Sequence, residues 1–128
     1  MKIVLIDDEP VVLKGLKTII ENSCKGWEII GEAEDGLRGL RLVEEKIPDL
    51  IITDIKIPGI DGMEMIKKIR GKNRDVLIII LSGCTDITYI QKATELGSFA
   101  YLFKPIKYTD ILNCLSKAEK TIEMREKA

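Results

Sequence analysis

Residues 2–10 read KIVLIDDEP, an aliphatic run that ends in three consecutive acids and a proline. Such a run, without polar alternation, is typical of a strand that is covered on both faces. A second run, LIIT at residues 50–53, ends in the same way at Asp54. Carboxylates at the ends of two buried strands repel one another unless a cation lies between them. The pattern therefore indicates a divalent-metal site beside a carboxylate nucleophile.

The rest of the chain alternates short apolar runs with longer amphipathic stretches. We predict strands at residues 3–6, 28–33, 50–53, 76–81 and 99–103. The segments between them, and a last segment from about residue 108 to the C-terminus, carry apolar residues at helical spacing. This alternation predicts a (βα)5 chain with a parallel sheet, right-handed crossovers and helices on both faces. The acids would converge at the carboxyl edge of that sheet if the first and third strands are neighbours.

The bulk composition is that of a globular domain. The 128 residues are 45% hydrophobic and 32% charged, with a net charge of −1. The near-neutral charge argues against nucleic-acid binding by this segment, and no apolar run approaches the roughly 20 residues of a membrane span. The N-terminus enters a strand directly, so no signal peptide is expected. We predict one domain over residues 1–128 and no membrane partner.

Cysteine and histidine usage narrows the chemistry further. Cys24, Cys84 and Cys114 are far apart and lack metal-ligand spacing, which predicts reduced, mostly packing thiols in a cytoplasmic protein. The chain contains no histidine. Zinc sites with imidazole ligands, Ser/His/Asp triads and a phosphohistidine on this chain are therefore excluded.

The last helical segment extends further than a domain of this type needs. Residues along it step by four and three, like a heptad seam that weakens at its end: Ile111, Leu115, Ala118, Ile122 and the polar Arg125. A docked amphipathic helix, a dimerisation helix and a linker into a further domain all fit this pattern. We therefore treat residues 117–128 as a helical extension that could begin such a linker.

Each candidate site residue has an ordinary structural interpretation beside the chemical one. Asp7 and Asp8 could belong to a helix cap, in which Asp8 or Glu9 satisfies free N–H groups of the helix that follows, and Asp54 could initiate a loop. Ser82 could be a turn serine, and Lys104 an ordinary surface lysine. Chemically, Mg²⁺ prefers oxygen ligands, and a carboxylate can attack phosphorus to form an acyl phosphate. A fixed ammonium and a hydroxyl would then stabilise the charge of the transferred group.

The joint placement of these residues is far more specific than any one of them. The chain contains IDDEP, ITDIKIPGIDG, ILSG and YLFKP in this order, and with these motifs it resembles the receiver domain of two-component response regulators from Lys2 to the last helix. The resemblance implies a flavodoxin-like receiver fold, which is a three-layer doubly wound α/β structure with strand order 2-1-3-4-5. It also implies Mg²⁺ or Mn²⁺ as the cofactor and a sensor histidine kinase as the partner.

The resemblance assigns roles to the acids. Asp54 matches the phosphoacceptor and also a metal ligand. Asp8 matches the direct magnesium ligand, and Asp7 the neighbouring acid that acts through water. Lys56 stands at the position whose backbone carbonyl completes the metal shell.

The resemblance also assigns the residues around the phosphoryl group. Lys104 matches the lysine that pairs with it, and the Lys104–Pro105 bond is similar to the family's cis peptide. Ser82 looks like the switch hydroxyl, and Tyr101 like the aromatic switch that turns inward. The side chains of Lys56 and Cys84 lie where the family tunes hydrolysis of the acyl phosphate, while Gly83 replaces an alanine that is common there.

The implied function is that of a phosphoacceptor, which catalyses only its own phosphorylation and dephosphorylation. Phosphorylation would bias a two-state equilibrium at the face formed by the fourth helix, the fifth strand and the fifth helix, and would alter homodimerisation or partner contact. The chain looks like the N-terminal part of a transcriptional regulator, in which DNA is bound only through an effector domain outside these residues. A stand-alone receiver in a phosphorelay is the alternative.

Two functions from other classes fit less well. Phosphohydrolases with an aspartyl nucleophile carry a D-x-D-x-T pattern. In this chain Lys56 stands where the second acid of that pattern would be. A flavin-binding module of the same fold needs a Ser/Thr/Gly-rich loop after the first strand. The acids at residues 7–9 would instead repel a phosphate.

Overall fold

The computed structural model describes residues 1–127, in which strands and helices alternate along the chain. The strands are β1 (Lys2–Ile6), β2 (Glu28–Ala33), β3 (Leu50–Thr53), β4 (Leu77–Ser82) and β5 (Ala100–Phe103). The helices are α1 (Pro10–Ser23), α2 (Gly36–Lys46), α3 (Gly62–Lys72), α4 (Ile87–Glu95) and α5 (Tyr108–Lys127). Ala128, the last residue of the predicted 117–128 extension, lies outside the described residues.

The sheet confirms the predicted fold class. Its five strands are parallel and ordered β2-β1-β3-β4-β5. In the β1–β3 pairing Ile6 lies opposite Thr53, and the Asp54 N–H donates to the Ile6 carbonyl at 3.0 Å. The residues that follow these two strands are therefore adjacent at the carboxyl edge of the sheet, which is where the sequence places the site.

Two layers of apolar side chains hold the helices to the sheet. Alternate residues of a strand face opposite sides, so Ile3 and Leu5 pack against α1 and α5, while Val4 and Ile6 pack against α2 and α3. The strands β1, β3 and β4 are buried almost completely. This explains why they read as aliphatic runs rather than as alternating patterns.

Small differences from the predicted elements concern their ends and the packing of α4. β4 and β5 each begin one residue later than predicted, and β4 includes Ser82. The apolar residues at helical spacing in α4 are only partly buried: Ala93 is buried, whereas Ile87 is 68% exposed. Among residues 1–127 no helix is both long enough and apolar enough to cross a membrane.

The apolar seam of α5 is used by the domain's own core. Its buried positions are Ile111, Leu115, Ala118 and Ile122. Near the end of the helix, Arg125 donates to the backbone carbonyl of Asp75 at 2.6 Å. The described part of α5 is thus a docked amphipathic helix over nearly its whole length.

Candidate functional site

Three carboxylates converge where β1 and β3 end. Asp7, Asp8 and Asp54 each present one oxygen, and these oxygens all lie within 4.8 Å of one another. Asp7 and Asp54 are buried, whereas Asp8 is exposed. Buried carboxylates this close together require compensating positive charge. The predicted convergence of the acids is therefore present, with one acid of the three open to solvent.

Lys104 supplies positive charge from the end of β5. Its Nζ lies 2.8 Å from Asp54 Oδ2, 3.0 Å from Asp7 Oδ2 and 3.0 Å from Glu9 Oε2. Burial disfavours the charged form, but the hydrogen bonds to these carboxylates outweigh it and raise the pKa of Lys104 above its usual value. The lysine side chain is only 14% exposed, and it precedes a cis Lys104–Pro105 peptide bond. Lys104 therefore remains a fixed ammonium at neutral pH.

The ionised form of Asp7 is less well stabilised than that of Lys104. Burial raises the pKa of its carboxyl group, and this effect exceeds the opposing hydrogen bonds from the Glu9 N–H and from Lys104. The two oxygens are divided between these partners, because Oδ1 accepts from Glu9 N at 2.9 Å while Oδ2 faces the ammonium. An additional cation near Asp7 would stabilise its ionised form.

Asp54 is oriented by the backbone that follows it. Its Oδ1 accepts from the N–H groups of Ile55 at 2.6 Å and Lys56 at 3.2 Å, while Oδ2 contacts Lys104. The Lys56 side chain points outward and is exposed. One oxygen of Asp54 is thus fixed by main-chain donors, and the other faces a side chain.

Two glycines shape the loop between β3 and α3. Gly59 adopts a φ of +88°, a conformation that side chains disfavour. Gly62 approaches the loop so closely that its N–H donates to the Ile55 carbonyl at 3.0 Å. A Cβ at Gly62 would lie 2.7 Å from two backbone carbons of Ile55 and closer still to its oxygen. The start of α3 is therefore packed directly against the segment that orients Asp54.

Ser82 and Tyr101 are joined through one intervening residue. The buried Ser82 Oγ accepts from the Cys84 N–H at 3.2 Å, and the Tyr101 hydroxyl donates to the Cys84 carbonyl at 2.8 Å. Burial raises the pKa of Tyr101, whose ring also lies 5.3 Å from that of Phe103. Within residues 1–127 neither hydroxyl forms a hydrogen bond to the carboxylate cluster. Ser82 and Tyr101 thus form a second group of residues beside the acids and Lys104.

Sequence reasoning missed two residues of the site. Glu9 was considered only as a helix cap or as part of an acidic run, yet its carboxylate contacts Lys104 and forms no side-chain cap bond to α1. The position of Glu9 beside the acid pair was the available signal. Gly62 followed a turn in the sequence, and nothing local indicated its close approach to Ile55.

Comparison with known proteins identifies the family of the chain. The model of the response regulator receiver domain family matches residues 3–116. The chain is 38% identical over 116 residues to the uncharacterized transcriptional regulatory protein YesN of Bacillus subtilis, covering 91% of this chain and 32% of YesN. It is 36% identical over 120 residues to the transcriptional regulatory protein LiaR of the same organism, covering 94% of this chain and 56% of LiaR.

Solved structures agree with the observed fold. The receiver domain of AraT, a response regulator from Geobacillus stearothermophilus, superposes with a TM-score of 0.90 at 27% identity, covering 98% of this chain and 97% of that domain. The matched region spans 32% of the length of YesN and 56% of the length of LiaR. The family model nevertheless matches most of the chain, so the chain belongs to the response regulator receiver domain family and is related to transcriptional response regulators.

Proposed function

We propose that the chain accepts a phosphoryl group on Asp54 from the phosphohistidine of a sensor histidine kinase, or from a small donor such as acetyl phosphate. A carboxylate oxygen of Asp54 attacks phosphorus and forms an O–P bond, while the N–P bond of the donor breaks. The imidazole leaves with the electron pair and takes a proton. Water later cleaves the acyl phosphate, which restores the carboxylate and releases inorganic phosphate. The domain would therefore catalyse only its own phosphorylation and dephosphorylation.

One observation carries this proposal. The Asp54 carboxylate lies at the carboxyl edge of the sheet with a fixed ammonium 2.8 Å from its Oδ2. An anionic nucleophile that attacks an anionic phosphoryl group needs positive charge placed in advance. Lys104 provides such a charge without rearrangement of the strands.

The acidic cluster fits Mg²⁺ or Mn²⁺ as the cofactor, because its donors are carboxylate oxygens, which hard divalent cations prefer. Asp8 and Asp54 would hold the ion directly, the Lys56 backbone carbonyl would complete its shell, and Asp7 would act through water. When bound, the ion would neutralise charge on the phosphoryl oxygens and on the carboxylates. The raised pKa of Asp7 supports this proposal, since a nearby cation would favour its ionised form.

Ser82 and Tyr101 are proposed to transmit phosphorylation to the surface. If the Ser82 side chain turns so that its hydroxyl donates to a phosphoryl oxygen, Ser82 Oγ loses the hydrogen bond that it now accepts from the Cys84 N–H. Because Tyr101 holds the carbonyl of the same residue, the loop and the aromatic ring would move together. The face formed by α4, β5 and α5 would then change, and its exposed Ile87 and Phe103 could take part in a homodimer or a partner contact.

The output is proposed to be transcriptional. The matched relatives are named as transcriptional regulatory proteins and are longer than this chain. Residues 117–128 would then lead into an effector domain, through which alone DNA is bound, in a cytoplasmic protein. A dimer that forms only on phosphorylation supports this proposal. Docking to a phosphotransfer protein without dimerisation would instead favour a stand-alone receiver.

The central test is the intact mass of the protein after treatment with acetyl phosphate, with and without Mg²⁺. We expect one phosphoryl adduct on the wild type in Mg²⁺ and none on Asp54→Asn. Glu34→Gln is the matched control, because Glu34 is an exposed acid at the same edge of the sheet and lines the same depression as Asp8. An equal adduct on Asp54→Asn, or no Mg²⁺-dependent adduct on the wild type, would contradict the assignment.

A further inference from the structure

Glu9 differs from the other two carboxylates that contact Lys104. Asp7 and Asp54 belong to the convergent acidic cluster, whereas Glu9 lies outside it with a side chain that is 57% exposed. Glu9 is the N-cap residue of α1, but its side chain accepts no hydrogen bond from that helix. The carboxylate instead reaches Lys104 Nζ at 3.0 Å. Its contact with the lysine is therefore not needed to begin the helix.

The Lys104 ammonium has three protons and lies within 3.0 Å of three carboxylate oxygens. A phosphoryl oxygen must therefore compete with these oxygens for the ammonium protons. Phosphorylation would change the Asp54 carboxylate into a neutral acyl group, and cation binding would engage Asp7. Glu9 is the acceptor that neither event removes, so it continues to attract the ammonium after the phosphoryl group has arrived.

We propose that Glu9 is a positioning residue that holds Lys104 and competes with the phosphoryl group on Asp54 for the ammonium. This inference rests on the proposed function of Asp54. Glu9 thereby weakens the hold of the domain on a phosphoryl group. Its removal should tighten the binding of a phosphoryl analogue by about two- to fivefold, the contribution of a partly exposed ion pair.

The test uses beryllofluoride as the phosphoryl analogue, titrated into the protein at saturating Mg²⁺. Glu9→Gln keeps the shape of the side chain and removes its charge. Glu34→Gln removes the same charge from the same edge of the sheet, and within residues 1–127 Glu34 forms no ion pair with Lys104. We expect Glu9→Gln to bind beryllofluoride about two- to fivefold more tightly than the wild type, and Glu34→Gln to differ less.

A second measurement needs no metal or phosphoryl group. Hydrogen exchange of the Lys104 ammonium, followed by ¹⁵N NMR in the metal-free protein, should be faster in Glu9→Gln and unchanged in Glu34→Gln. Equal affinities for beryllofluoride in the wild type and Glu9→Gln, or equal exchange rates of the Lys104 ammonium in Glu9→Gln and Glu34→Gln, would overturn the inference while leaving phosphorylation of Asp54 intact. Failure of the wild type to form the acetyl phosphate adduct would overturn the proposed function and this inference together.

Discussion

Replacement of Gly62 by alanine should disturb the loop that orients Asp54. The added Cβ would lie 2.7 Å from the carbonyl carbon and the Cα of Ile55, whereas ordinary contact begins at 3.4 Å. The backbone must therefore separate by at least about 0.7 Å, and the backbone atoms of Ile55 cannot turn aside as the end of a flexible side chain could. The hydrogen bond from Gly62 N–H to the Ile55 carbonyl would be stretched or lost.

The expected cost follows from these two changes. Overpacking of a tight site costs about 1–3 kcal/mol, and a lost hydrogen bond about 1 kcal/mol. The better helix propensity of alanine offsets up to about 1 kcal/mol of this. We therefore expect Gly62→Ala to lower the free energy of unfolding by about 1–3 kcal/mol. It should also slow phosphorylation, because the same loop carries the N–H groups that fix Asp54 Oδ1.

Urea unfolding followed by fluorescence of Trp27, the only tryptophan and a buried one, measures the change. Gly71→Ala is the matched control, because Gly71 lies in the same helix and a Cβ there would meet nothing within 4 Å. That substitution should raise the free energy of unfolding by about 0.5–1 kcal/mol. If Gly62→Ala is as stable as the wild type, the close approach to Ile55 does not constrain the loop and the reasoning fails.

Three further changes have expected outcomes. Ile47 adopts a left-handed φ of 49° and is exposed, so Ile47→Asn should raise the urea-derived free energy of unfolding by about 0.5–1 kcal/mol; no gain would show that this conformation is not strained. Burial raises the pKa of Asp7, so the stability linked to its protonation is present below the unfolded-state pKa and is lost as pH rises through the folded-state pKa. In EDTA, Asp7→Asn should therefore have a higher melting temperature than the wild type near pH 7, and the difference should shrink as the pH falls towards about 3.5. A difference in melting temperature that does not depend on pH would contradict this. The Arg70 guanidinium donates to the carbonyls of Leu96 at 2.8 Å and Val76, so Arg70→Lys should cost about 1–3 kcal/mol and speed amide exchange after α4; unchanged exchange there would refute it.

Most of the fold could be predicted from the sequence because its strands are buried on both faces. The aliphatic runs identify β1, β3 and β4, and helical spacing identifies the segments between them. The ends of strands were less certain for a physical reason. Val76 is apolar and buried, yet it lies before the paired part of β4. A hydrophobic pattern reports burial, whereas the limits of a strand are set by backbone pairing.

The packing of α4 shows a second limit of periodicity. The spacing of its apolar residues identifies a helix and the side that faces the sheet, but it does not report how closely that side is packed. Within the described residues, α4 connects β4 to the edge strand β5, and Ala93 is its only buried residue. The spacing of apolar residues in α4 therefore does not predict that Ile87 is 68% exposed.

The same distinction applies inside the site. Convergence of the acids could be predicted, because parallel strands bring the residues after them to one edge whatever lies between. The contact between Glu9 and Lys104 joins residues 95 positions apart through two long side chains, so it depends on rotamers that the strand pattern does not set. If Glu9 competes for the ammonium as proposed, we therefore expect the reach of Lys104 towards a phosphoryl group on Asp54 to depend on the residue that follows the acid pair.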